Sequence, residues 1–315
     1  MKQEHNHSKS EHHHHHHTNN LRGKKLLWVA LLNFSITIVQ IVGGIISNSL
    51  SLLSDALHNL GDSSAIFIAF LAGKKSHKAP DEQHTFGYKR VEILAALFNA
   101  IVLISICIFL FFEAYERLID PQPIKGKIMF IVAIFGLLAN LISALVLSKD
   151  KNHNLNVKAA YLHLLGDTLS SLAVILGGIA IWLYGFFWID PLITILVGIY
   201  IIYHTWGIVK QTVDILMQNT PSNLNLNEIK QQVELIDEID NIHHVHVWKL
   251  DDKQIHLETH LNLRNNINMV EMMIIKEKTE NLLKKTFSIN HVTLQIGYNC
   301  CSNNNQLIKT NINQY

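Results

Sequence analysis

Over its first two thirds the chain alternates long apolar runs with short polar breaks, and then it changes character. Leu26 to Ile46, Ile93 to Phe112 and Ile128 to Leu147 carry no charge and are each about 20 residues long, the length a helix needs to cross bilayer hydrocarbon. Leu50 to Gly73 and Ala159 to Tyr184 are similar runs that also carry histidine and aspartate. Pro191 to Val209 is a sixth run, with His204 near its end. The pattern predicts six transmembrane helices, and an even number places both termini on one side.

Basic residues choose that side. The arm before the first run, the second-to-third loop and the fourth-to-fifth loop hold 13: Lys2, Lys9, Arg22, Lys24, Lys25, Lys74, Lys75, Lys78, Lys89, Arg90, Lys149, Lys151 and Lys158. The opposite loops hold three, Arg117, Lys125 and Lys127. Both termini are therefore expected in the cytosol.

From Gln211 the pattern becomes that of a soluble domain. Leu226 to Ile239 alternates charged and apolar residues at helical spacing. His244 to Leu250 and Ile255 to Leu263 read as strands joined by the turn Asp251 to Gln254. Val270 to Phe287 reads as a second helix and His291 to Ile296 as a third strand. The order αββαβ predicts a small α+β unit. In the second strand Ile255, Leu257, Leu261 and Leu263 share one face, and His256, Glu258, His260 and Asn262 the other. The predicted divisions are a disordered His-rich arm at 1–25, a six-helix membrane domain at 26–210, a cytosolic α+β domain at 211–298 and a disordered Asn-rich tail at 299–315.

Two of the apolar runs contain the same motif, His-x-Leu-Gly-Asp: His58 to Asp62 and His163 to Asp167. Positions four apart lie on one face of a helix, so each copy turns an imidazole and a carboxylate the same way. Two such helices together offer two nitrogens and two carboxylates, a tetrahedral set suited to zinc. Ionisable groups at bilayer depth are costly and usually mark an ion path. Structural hydrogen bonds between helices are the plainer alternative, but they would not require two identical pairs. Asp55, three residues before His58, suits a proton relay, a cap or a supporting role equally. Gly61 and Gly166, beside the motif aspartates, would let helices approach closely.

Composition agrees with a membrane transporter. Hydrophobic residues make up 49% and charged residues 16%, too apolar for an ordinary soluble domain. The net charge of +1 gives no reason to expect nucleic acid. Three cysteines, Cys107, Cys300 and Cys301, do not make a disulfide framework. The residues before Leu26 are polar, unlike a cleavable signal peptide. Of 20 histidines, eight precede residue 18: His5, His7 and the run His12 to His17. Dense histidine collects divalent metals without fixed geometry. Six in a row is also the length of an expression tag, although this run is internal and flanked by further histidines. No cofactor is expected beyond zinc as a transported and regulatory ion.

Taken together, Ser54 to Asp62, the loop Asp81-Glu82-Gln83-His84-Thr85-Phe86-Gly87-Tyr88-Lys89-Arg90-Val91-Glu92, His163 to Asp167 and His243-His244-Val245-His246-Val247-Trp248 resemble the cation diffusion facilitator family, in particular its zinc-exporting branch. The resemblance runs from Leu26 to Ile296. It implies a homodimer of six-helix protomers with a metallochaperone-like cytosolic domain, exchanging cytosolic zinc for protons in a bacterial inner membrane and conferring metal tolerance. By the same resemblance His58, Asp62, His163 and Asp167 form the transport site. Some members hold a second metal in the loop after the second span with an Asp and two His. Asp81 and His84 match, but the third position is Tyr88. His243, His260 and His291 match ligand positions of members with cytosolic metal. The carboxylate found two residues after the last of these is Thr293 here, so completion would fall to Cys300, Cys301 or a neighbouring histidine.

Three other readings compete. An intramembrane zinc protease would need a motif such as His-Glu-x-x-His and an open coordination position, and that motif does not occur in the chain. A membrane-bound metal sensor explains the soluble histidines but not ligands at mid-membrane. An exporter of cadmium, cobalt or nickel is the nearest rival, because a nitrogen and oxygen site accepts several divalent ions.

Overall fold

The computed structural model describes residues 16–76, 78–148, 155–299 and 307. Six long helices come first: α1 (His16–Ser47), α2 (Leu50–Ser76), α3 (Arg90–Ile119), α4 (Gly126–Ser148), α5 (Leu155–Tyr184) and α6 (Ile189–Leu216). Among the described residues four helices are long and apolar enough to cross a membrane: Arg90–Ile119, Gly126–Val146, Leu164–Tyr184 and Ile189–Leu216. Leu31–Ser47 is a shorter apolar helix. The polar residues Ser51, Ser54, Asp55, His58, Asn59 and Asp62 dilute the apolar pattern of α2. Helix α1 starts at His16, inside the stretch expected to be a disordered arm. His5, His7 and His12 to His15 lie outside the described residues.

By contacts the chain divides into two compact units, one comprising residues up to Ser64 with Val102–Tyr203, the other Ala65–Ile101 with residues from His204 onward. In the first unit α4 and α5 pack through glycine. A Cβ on Gly126 would come within 2.6 Å of the Trp182 backbone nitrogen, and one on Gly178 within 3.1 Å of that of Phe130. Close backbone approach is the usual basis of helix association in lipid, where no hydrophobic drive exists between helices. Leu52, Met129, Ala133, Val174, Ile175 and Ile181 fill the space beside this pair.

The start of α2 is fixed from α6. The fully buried Asp190 carboxylate accepts hydrogen bonds from Ser49 Oγ at 2.6 Å, Leu50 N at 2.7 Å, Ser51 N at 3.2 Å and Ser51 Oγ at 2.6 Å. It serves as an N-cap supplied by another helix, satisfying amides that the first turn cannot. Just before it, Asn48 takes a positive φ of 58°, and Arg117 Nη1 donates to its carbonyl at 2.7 Å.

The second unit contains α7 (Leu226–Glu234), β1 (Ile239–Lys249), β2 (Ile255–Leu263), α8 (Met269–Phe287) and β3 (His291–Tyr298), the expected αββαβ order. The three strands lie in the order β1-β2-β3, with β1 and β2 antiparallel and β2 and β3 parallel. Helix α7 stops at Glu234, short of the expected Ile239, which instead opens β1 opposite Leu263. Asn268 and Glu271 form a reciprocal capping box at the start of α8, and Ser288 ends it in the left-handed conformation. Its buried Ile275, Leu283 and Phe287 join Ile229, Val233, Ile242, Leu257 and Leu261 in one core.

Candidate functional site

The first motif turns its two ends together on α2, as its spacing requires, and α5 supplies a third group. His58 Nε2 lies 3.5 Å from Asp62 Oδ2 and 3.4 Å from Asp167 Oδ1. One ligand atom from each of the three residues falls within 4.8 Å of the others. His58 and Asp167 are buried, whereas the Asp62 side chain keeps 27% exposure and opens the cluster to one side. His163 falls in α5 one turn before Asp167, but its side chain lies outside the described residues. Two carboxylates facing one imidazole suit a divalent cation, since the pair of negative charges offsets its charge where water is scarce.

Around this cluster lie groups the sequence reading passed over. The Asp167 and Asp62 carboxylates act electrostatically on Tyr200 of α6. Its hydroxyl occupies the space over Gly166, where a Cβ would come within 2.6 Å of it. That glycine therefore makes room for the Tyr200 side chain; no backbone of a neighbouring described helix comes within 4 Å of its Cβ position. Asp55 accepts from Gln40 Nε2 at 2.8 Å, Ser170 Oγ at 2.8 Å and Ser171 Oγ at 3.2 Å. Its carboxylate thus ties α2 to α1 and α5 and caps no helix.

The loop residues Asp81 and His84 do meet, but as a turn. Asp81 Oδ1 takes His84 Nδ1 at 2.9 Å and the backbone amides of Gln83 and His84, while Tyr88 donates to Oδ2 at 2.8 Å. The Tyr88 hydroxyl, then His84, hold Asp81 at about 2, below the ordinary carboxylate value. Tyr88, which the sequence already sets in place of a third ligand, closes the turn.

The cytosolic histidines divide in two. His243 and His260 lie opposite each other on β1 and β2 with rings 5.3 Å apart. His244 sits 4.7 Å from His260 and 4.8 Å from His246, so four imidazoles gather there. The register shift between His243 and His246, with a positive φ of 53° at His244, turns this extra residue toward its neighbours. His291 does not join them. The parallel register pairs it with His256, rings 4.9 Å apart, and sets Gln295 beside His260. Thr293 pairs with Glu258, and Cys300 and Cys301 lie outside the described residues.

Burial, and then the neighbouring His260, hold the His243 imidazole below its ordinary value. Burial, and then His291, do the same to His256. An unfolded chain regains imidazoles that titrate near ~6.5 and so binds more protons below that pH. Stability from these two groups is present above ~6.5 and is lost as the pH falls through that value. The cytosolic unit is accordingly expected to melt at lower temperature at about pH 5.5 than at about pH 7.5. Equal melting at both would mean that these histidines are not perturbed.

One imidazole and two carboxylates brought together by α2 and α5, among long apolar helices, define a membrane protein built to handle a cation. The chain belongs to the cation efflux family: residues 26–217 match the cation efflux transmembrane domain, and residues 221–297 the cation efflux protein cytoplasmic domain. The family agrees with the cation diffusion facilitator resemblance, and its members are transporters and not enzymes. Among similar proteins is the zinc transporter ZitB of Pectobacterium atrosepticum, 36% identical over 94% of this chain and 90% of its own length. The metal cation efflux system protein CzcD of Cupriavidus metallidurans is 38% identical over 84% of this chain and 83% of its own. The cadmium, cobalt and zinc/H(+)-K(+) antiporter of Bacillus subtilis is 34% identical over 92% and 94%. The protein is a multi-pass membrane transporter that effluxes divalent metal cations.

Proposed function

We propose that the protein exports zinc from the cytosol in exchange for protons, with His58, Asp62, His163 and Asp167 as the transport site. The observation that carries this reading is His58 Nε2 within 3.5 Å of two carboxylates, one from its own helix and one from α5. Zinc takes imidazole and carboxylate ligands in four-coordinate geometry. His163, one turn from Asp167, supplies the fourth. Metal needs neutral imidazole and ionised carboxylate, so protons entering the site from the far side expel it. The names of ZitB and of the Bacillus antiporter agree with zinc as cargo and protons as counter-ion. Cadmium and cobalt are the second reading, favoured by the same Bacillus name and by the tolerance of a nitrogen and oxygen site.

Two copies assemble through their cytosolic domains in a bacterial inner membrane, each with six spans and cytosolic termini. The arm collects metal, and His243, His244, His246 and His260 bind regulatory zinc. His291 stands apart with His256, and the Asp81–His84 turn is structural.

Purified protein in liposomes with a trapped pH dye and a zinc dye is the direct test. Zinc added to one side should move together with an opposite proton flux, fastest for zinc, slower for cadmium and cobalt, and absent for calcium. Zinc flux without proton movement would remove the exchange mechanism. Equal rates for calcium would remove the assigned ligand set, because calcium prefers six to eight oxygens.

A further inference from the structure

Asp55 is 1% exposed, and its hydrogen bonds run to Gln40, Ser170 and Ser171. Gln40 extends the polar contacts, since its Oε1 accepts from Asn59 Nδ2 at 3.2 Å. Helical spacing sets Asn33, Thr37 and Gln40 on one face of α1, and Gly136 and Asn140 on one face of α4. A Cβ on Gly136 would come within 2.4 Å of the Gln40 amide nitrogen, so these two faces meet. Along the seam, Asn33 Oδ1, Asn59 Oδ1 and both amide atoms of Asn140 are buried without a hydrogen bond to any described group.

At membrane depth an unsatisfied polar group costs several kcal/mol. Four such atoms on three helices are stable only if something polar lies between them, and buried water characteristically serves groups of this kind. We propose that ordered water fills the seam between α1, α2 and α4 and carries protons between Asp55 and the level of Asn33. This route is separate from the metal ligands, and it rests on the proton-exchange reading above.

Amides and hydroxyls suit such a route for two reasons. They accept and donate in turn, so a water chain can pass a proton along them without fixing a charge. They are also poor ligands for zinc, which takes imidazole, thiolate or carboxylate. Protons therefore pass where metal does not. The charged groups that act on Asp55 are Asp167 from α5 and His58 from its own helix. The faces of α1 and α4 along the seam contribute amides and hydroxyls alone. Three hydrogen-bond donors hold the Asp55 carboxylate in place while its proton comes and goes.

The test uses the full-length protein in liposomes. Asn140→Leu and Asn33→Leu each fill the seam with hydrocarbon. Both should lower zinc flux about tenfold, equal to about 1.4 kcal/mol on the limiting barrier. They should also raise the solvent deuterium isotope effect on flux and leave calorimetric zinc affinity at the transport site unchanged. Asn140→Ser keeps a polar group with room for water and should retain the parent rate. In Asn140→Cys combined with Cys300→Ser and Cys301→Ser, the new thiol should react with a water-soluble methanethiosulfonate, whereas Cys107, at 1% exposure among Leu103, Val197 and Ile201, should not. Folded leucine variants with parent flux and parent isotope effect overturn the route, as does an Asn140→Cys thiol as inert as Cys107. If the parent itself moves zinc without protons, the exchange reading and the route fall together. Parent coupling with unaltered leucine variants removes the route alone.

Discussion

Asp167→Ala is expected to abolish zinc flux while leaving the protein folded and inserted, and Asp62→Ala to do nearly the same. With these residues as ligands, two carboxylates would offset the divalent charge, and removing either would leave a positive charge uncompensated. In a buried setting that costs about 3–5 kcal/mol, or roughly two to four orders of magnitude in affinity. The two variants should differ in degree. Asp167 is 2% exposed and Asp62 27%, so water can partly replace Asp62 but not Asp167. Flux in liposomes and zinc binding by calorimetry measure both effects, and circular dichroism checks the fold. Near-normal flux in both variants would end the assignment of these carboxylates as ligands.

The proposed ligands stood out in the sequence because the signal was doubled. A histidine four residues before an aspartate, repeated in two apolar runs, has a spacing that a helix turns into a shared face. Gln40, Ser170, Ser171 and Tyr200 had no such spacing. Each is one polar residue in an apolar helix, and its importance depends on which helices become neighbours. The placement of the cytosolic histidines was only partly legible. Alternation in β2 put His256 and His260 on one polar face, but it could not say which of them β3 would meet. The parallel register answers with His256, and so His291 leaves the expected trio. The four-histidine group arises from a register shift at His244, which no alternation pattern predicts. Apolar runs located the helices well except at their polar ends, where α1 begins at His16 and α7 stops at Glu234.

Asp190→Ala is expected to damage the fold as strongly as Asp167→Ala damages transport. The substitution removes the acceptor for two backbone amides and two hydroxyls at the start of α2. The hydroxyls can turn to other partners, as Ser49 and Ser51 already lie 3.3 Å apart. The amides of Leu50 and Ser51 cannot, because backbone geometry fixes where they point. A buried group left unsatisfied costs about 1–3 kcal/mol, more where the lost partner was charged. Two such groups amount to about 3 kcal/mol or more, a large share of the ~5–15 kcal/mol that separates folded from unfolded protein. The loss falls on the helix that carries His58 and Asp62, so flux should fall with the folded fraction and not ahead of it. Asp190→Asn keeps one acceptor oxygen and should lie between parent and alanine variant. The measurement is the melting temperature in detergent set beside flux per folded molecule. Asp190→Ala should lower the first and spare the second, the reverse of Asp62→Ala. If Asp190→Ala melts with the parent, the amides have found other acceptors and α2 does not depend on α6 for its start.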